Sequence, residues 1–180
     1  MIPEAPLNDD GNGLKAAGDG WFVVNAREHE WRWAEGRTAV CDFEGTPDFP
    51  QLGTNVSVLQ PGEFMGMYHW EADQEDFLVL SGDALLVVEG EERPLKAWDF
   101  VHCPPGTNHV ILGAGTGPCV VVAVGARDRS VTDDWGGYTA DPVAAKHSVS
   151  VERDTSNADE AYAPFPRREK LRYRDGWLPG

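Results

Sequence analysis

From Asn55 to Ala126 the chain repeats one pattern, a short apolar or alternating run followed by a turn marked with Gly, Pro or acidic residues. Asn55–Gln60 (NVSVLQ) alternates and stops at Pro61-Gly62. Phe64–Glu71 (FMGMYHWE), Asp76–Gly82 (DFLVLSG) and Ala84–Cys103 (ALLVVEGEERPLKAWDFVHC) follow, the last folding back at Gly90-Glu91-Glu92. His109–Gly115 (HVILGAG) and Cys119–Ala126 (CVVVAVGA) close the series. Short strands punctuated every ~8–12 residues predict an all-β sandwich or barrel, and no window carries helical periodicity.

Outside this block the pattern thins. Residues 1–20 are rich in Gly, Asn, Asp and Pro and read as an N-terminal arm, flexible or hugging a sheet edge. Trp21–Ala26, Glu30–Glu35 and Thr38–Glu44 are short, aromatic or β-branched, and are predicted as strands. The two prolines of Gly45–Gly53 mark a loop. Residues 127–180 form a C-terminal extension with two short helices, one capped by Asp141 with Pro142 at its first position, the other starting at Ser156. Its final stretch gathers arginines with Tyr173 and Trp177, as expected of a strap drawn across an acidic barrel by charge and aromatic contact, ahead of the alternative of a partner-binding arm. There is no repeat of fixed period, so residues 1–180 read as a single domain.

Composition narrows the partners. The chain has 180 residues, 41% of them hydrophobic, enough for a sizeable core. Its 30 acidic residues against 15 basic ones give a formal charge of −15, which repels phosphate backbones and anionic lipid. Nucleic acid and membrane are therefore not expected as partners. Cys41, Cys103 and Cys119 are odd in number and lack CxxC spacing, which favours reduced thiols. The first residues have neither a basic start nor an apolar core, so a cytoplasmic location is expected.

The chemistry is concentrated in Tyr68–Gly82, YHWEADQEDFLVLSG. On a strand, His69 and Glu71 point to one face, and Met67 would share it. Glu75 follows a bend at Ala72-Asp73-Gln74, with Phe77 and Val79 continuing its face, and a hairpin would set it beside His69. His109 opens a later strand after the tight turn Pro104-Pro105-Gly106. Two imidazoles with one or two carboxylates suit a divalent cation with open positions, Fe, Mn, Zn or Ni rather than copper(I). Met67 and Phe77 are the expected lining of a substrate pocket.

Gly62, His69, Glu71, Glu75 and Gly82 stand at spacings that resemble the first cupin motif, a glycine, then His-x-His, a glutamate and a closing glycine. Pro104, Gly106 and His109 resemble the second, with Trp98 at its leading glycine and Gly113 at its trailing asparagine. The likeness covers residues 54–125. It implies a double-stranded β-helix, the cupin jelly-roll barrel, with short peripheral helices and extended termini. The family's ligand positions fall on His69, Glu75 and His109, with Glu71 at the place of the second histidine. There Glu71 either ligates or accepts a hydrogen bond at the rim.

Two functions fit this pattern. One is a metal-dependent enzyme on a small molecule, with dioxygenase chemistry favoured over isomerisation because two imidazoles and a carboxylate match non-haem iron oxygenases. The other is a non-catalytic cupin that binds or stores a small molecule or a metal. A homodimer is expected, because the resemblance implies pairing through exposed strands and the chain has spare segments at both ends. His102 and Cys103 alternate, so only one faces inward. His29 and His147 lie far from the motifs and are expected at the surface.

Overall fold

The computed structural model describes residues 1–127 and 134–180. A small hairpin, β1 (Leu7–Asp9) and β2 (Leu14–Ala16), orders the N-terminal arm. It is followed by β3 (Glu30–Ala34), β4 (Arg37–Asp42), β5 (Leu52–Leu59), β6 (His69–Glu71), β7 (Glu75–Ser81), β8 (Asp83–Val88) and β9 (Glu91–Lys96). Then come β10 (Phe100–Cys103), β11 (His109–Gly113), β12 (Cys119–Ala126) and β13 (Gly136–Tyr138). Two helical turns, α1 (Pro142–Lys146) and α2 (Ala158–Ala161), precede β14 (Glu169–Arg172).

The strands after the β1–β2 hairpin form two antiparallel sheets. One has seven strands in the order β10-β7-β12-β5-β4-β3-β14, the other five in the order β13-β6-β11-β8-β9. Between them lies a core of Leu59, Phe77, Val79, Leu86, Ile111 and Val121 with their neighbours. Each such side chain taken fully out of water contributes about 1.5–3 kcal/mol. Alternation places these residues: on β7, Phe77 and Val79 are buried while Asp76 and Leu78 are not.

Every residue of β11 is buried, because its sheet is covered on both faces. His109 and Ile111 look inward. Val110 and Leu112 pack outward against Tyr138, Ala144, Val149 and Ala161 of the C-terminal extension. The tail does the same for the seven-stranded sheet. β14 pairs with β3, and Tyr173 and Trp177 close over Trp31, which is fully buried. The extension is thus strapped over the barrel as its aromatic and basic content predicts.

Asp141 caps α1 by accepting from the amides of Val143 and Ala144, with Pro142 in the first turn. α2 is capped by Asn157, one residue later than expected. The β8–β9 turn falls at Glu89-Gly90, with φ of 48° and 73°, the primed geometry of a two-residue hairpin loop. Gly82 ends β7 at φ 76°, where a Cβ would sit 2.5 Å from the Pro118 carbonyl oxygen. Only glycine fits there.

Several strand expectations need correction. Trp21–Ala26 forms no strand beyond a single bridge from Trp21 to Glu4, and both Trp21 and Val23 are exposed, so its alternation has no sheet to face. Phe64–Tyr68 is bent chain, and only His69–Glu71 of that run is a strand. His29 is buried at 1% exposure, its Nδ1 bonded to the Glu30 carbonyl. All three cysteines are free and buried. No described helix is long and apolar enough to cross a membrane.

Candidate metal centre

His69 and His109 are direct partners across the β6–β11 ladder, with ring centroids 4.8 Å apart. Glu75 arrives from the other sheet. β7 pairs with β10 and β12, not with β6, so no hairpin joins Glu75 to His69. The two sheets bring them together across the barrel mouth.

One ligand atom from each of His69, Glu75 and His109 lies within 4.8 Å of the other two. Glu75 Oε2 is 3.2 Å from His109 Nε2 and 3.8 Å from His69 Nε2. Metal–ligand bonds of about 2.0–2.2 Å put adjacent ligand atoms about 3 Å apart, so a small contraction suffices.

Both rings are turned for ligation. His69 Nδ1 donates to the Met67 carbonyl at 2.7 Å, and His109 Nδ1 to the Thr107 carbonyl at 2.9 Å. A carbonyl can only accept, so each Nδ1 carries a proton and each Nε2 faces the site, His69 with a lone pair and His109 with one once its second proton has left. Glu75 Oε2 and His109 Nε2 are buried without a hydrogen-bond partner. Their 3.2 Å separation is close enough for an ion pair but misaligned for a hydrogen bond. The two atoms aim at a common point rather than at each other. Orphaned buried polar atoms of this kind are costly unless a partner satisfies them, and the donor set fits a divalent ion.

The two imidazoles titrate in opposite directions. Burial, then the neighbouring His109, push His69 down to about 4. Burial also pulls on His109, but the Cys103 thiol and the Glu75 carboxylate outweigh it and hold it up at about 10. At neutral pH His69 is therefore the uncharged ring of the two.

Glu71 lines the same cavity, its Oε1 3.9 Å from His69 Nε2, at the edge of the converging group. Phe77 also lines it, with its ring 5.2 Å from that of His109. Met67, expected beside it, is turned into the outer core, because the bent chain before His69 does not continue the strand's alternation. Met65 takes its place. Cys103 is the inward member of its pair, and His102 is exposed and bonded to Asp76 at 2.7 Å. His147 is half-buried against Glu92.

The cavity, of about 250 Å³, has a second wall that the motifs did not indicate: Trp135, Tyr138, Tyr162 and Arg168, all from the extension. Tyr138 sits opposite His69 in the β13–β6 ladder. That pairing needs Gly136, where a Cβ would fall 2.0 Å from the Trp70 carbonyl oxygen. Burial, and then Tyr162, hold the Tyr138 phenol well above its usual range.

Residues 55–125 match the family model described as Cupin domain. None of the curated proteins matches the chain. Among solved structures, an uncharacterized conserved protein with a double-stranded β-helix domain from Klebsiella pneumoniae aligns at 23% identity and a TM-score of 0.50, over 58% of this chain and 89% of that one. The polyketide cyclase RemF from Streptomyces resistomycificus aligns at 16% identity and a TM-score of 0.51, over 59% and 79%. A sugar phosphate isomerase from Silicibacter pomeroyi aligns at 25% identity and a TM-score of 0.46, over 50% of this chain and 59% of that one. The chain therefore spans less than two thirds of that isomerase's length. The likeness to the Klebsiella pneumoniae protein shows the double-stranded β-helix fold.

Proposed function

We propose that the chain, whose residues 55–125 match the Cupin domain model, is a cupin-superfamily divalent-metal enzyme acting on a small molecule, with dioxygenase-type chemistry. His69, Glu75 and His109 would hold the ion. One observation carries the reading: two buried ligand atoms without hydrogen-bond partners, Glu75 Oε2 and His109 Nε2, converge from opposite sheets beside a cavity large enough for a small molecule. Two imidazoles and a carboxylate form the donor set of non-haem iron centres, which favours iron over the other candidates.

When bound, the ion supplies Lewis-acid polarisation and, if redox-active, electrons to the reaction. The remaining roles belong to the chain. Met67 and Thr107 carbonyls fix the ring orientations. Phe77 and Ile111 form an apolar floor that limits water. Tyr138 keeps its proton across the working range, so it acts as a hydrogen-bond donor to the ligand rather than as a base.

The test is metal content after purification without chelator or nickel resin, followed by oxygen consumption with candidate diols, thiols and keto acids. Stoichiometric iron with turnover supports the enzyme. Bound metal without turnover over a broad panel would move the reading to a non-catalytic binding protein, and absence of any metal would remove it.

A further inference from the structure

Arg168 reaches the cavity from the segment just before β14, in a lining that also carries Asp42, Glu71 and Glu75. Its Nε donates to the Thr38 carbonyl at 3.0 Å and one terminal nitrogen contacts the Met65 carbonyl at 3.5 Å. A guanidinium has five N–H donors, so most of its outer edge remains unused. Among the described residues Arg168 makes no ion pair, whereas Arg32 and Arg127, which line this cavity and the neighbouring one, are held by Asp42 and Glu44.

Arg37 lies beside it in the same condition. It is 7% exposed, stacks over the Tyr162 ring at 4.7 Å and donates to the Pro166 carbonyl, yet its Nε has no partner. It too makes no ion pair among the described residues. Two neighbouring guanidiniums with no carboxylate at ion-pair distance are unexpected in a chain of formal charge −15; Glu63 and Asp42 act on Arg168 only from further away. Arg37 is buried and Arg168 half-buried, and cations so withdrawn from water are costly until an anion joins them. Burial, then Arg37, hold the Arg168 guanidinium down at about 10.

We propose that Arg168, backed by Arg37, anchors a carboxylate of the small molecule that occupies the cavity, presenting the rest of it to His69, Glu75 and His109. This rests on the metal-centred reading of the same cavity and adds the substrate class, a small organic acid. A single planar fork with two usable edges matches the two oxygens of a carboxylate. A phosphate dianion calls for more donors than this wall offers, and Asp42 and Glu71 line the cavity as well. The apolar lining from Phe77, Ile111, Ala123 and Trp135 suits a short carbon skeleton. The contribution of the tail is then functional: it brings to the barrel a cation that the cupin motifs lack.

Succinate serves as the probe, titrated calorimetrically into manganese-loaded wild-type protein and Arg168→Met, with manganese affinity measured separately by electron paramagnetic resonance. The expected result is manganese affinity within about threefold of wild type but succinate binding at least about tenfold weaker. Equal succinate affinity in the two proteins, or tighter binding of glycerol phosphate than of succinate to wild type, would overturn the proposal. If wild type takes up no manganese, the metal reading fails by itself, and the succinate comparison is made on the metal-free pair with the same criterion. Should Arg168→Met not fold, wild type is titrated with succinate and with its neutral diamide, and Arg168→Lys with succinate. The anchor predicts at least about tenfold weaker binding in both comparisons, and equality in either sinks it.

Discussion

Glu75 and His109 lie 34 positions apart in sequence and on opposite sheets, yet Glu75 Oε2 stands 3.2 Å from His109 Nε2. Neither atom has a hydrogen-bond partner, so the contact is built for a third party. Removing either side should abolish that purpose without touching the barrel's outer packing. Glu75→Gln and His109→Ala are each expected to lower metal affinity by more than about 100-fold, since even groups behind the ligands cost about 10–100-fold. His102→Ala, at an exposed site paired with Asp76, should change it less than about threefold. Competition titrations with a metal indicator decide this, and equal losses at His102 and His109 would place the inward face on the wrong residue.

The same contact predicts a proton count. In the metal-free protein His109 is held up at about 10, so at neutral pH it carries a proton that an ion must displace. Metal uptake should release about one proton per ion, read from calorimetry in buffers of different ionisation enthalpy. The stability of the metal-free fold follows by linkage. His109 is raised, so its contribution is present below its unfolded value near 6.5 and is lost as pH rises towards 10. His69 is depressed, so its neutral form favours the fold above 6.5 and that support is lost as pH falls towards 4. Urea melts should therefore show stability falling on both sides of neutrality, with the alkaline loss removed in His109→Ala.

How much of this was legible in the sequence depends on range. His69, Glu75 and His109 could be found because strand alternation and turn glycines fix a ligand's direction over a few residues. Which strands pair is a long-range matter, and there the local pattern misled: Glu75 meets His69 across the barrel, not through a hairpin. Met67 failed for a related reason, since two-residue alternation means nothing where Phe64–Tyr68 is not extended. Trp135, Tyr138, Tyr162 and Arg168 reach the cavity from an extension with no motif and little periodicity. The single hint was basic residues gathered in the tail of an acidic chain. A lone histidine such as His29 carries no pattern by which its burial could be foreseen.

Trp98 tests how closely this chain follows its own fold. It occupies the place of the second motif's leading glycine and adopts φ 76° while 74% exposed. Its backbone role, an amide donated to the Val79 carbonyl at 2.7 Å, needs no side chain. Left-handed backbone costs an ordinary residue about 1–2 kcal/mol, and a glycine returns about 0.4–1 kcal/mol of that through the unfolded chain. Trp98→Gly is expected to stabilise the protein by up to about 1 kcal/mol in urea melts. A loss of that size instead would mean that the indole is held by packing.

Tyr162 links the extension to the ligand shell through one atom. Its hydroxyl accepts the Met67 amide at 3.0 Å, and the Met67 carbonyl in turn accepts from His69 Nδ1. Tyr162→Phe keeps the ring that stacks on Arg37 and meets Tyr138 edge-on, so packing is preserved. It leaves a part-buried amide unsatisfied, which costs about 1–3 kcal/mol. It also loosens the segment that orients His69, and a group that sets a ligand's direction is worth about tenfold or more in metal affinity. Both readouts should move together, thermal unfolding downward and metal dissociation constant upward. If stability falls while metal affinity holds, the Met67 carbonyl keeps His69 in place by itself, and the extension's part in the site reduces to the cavity wall.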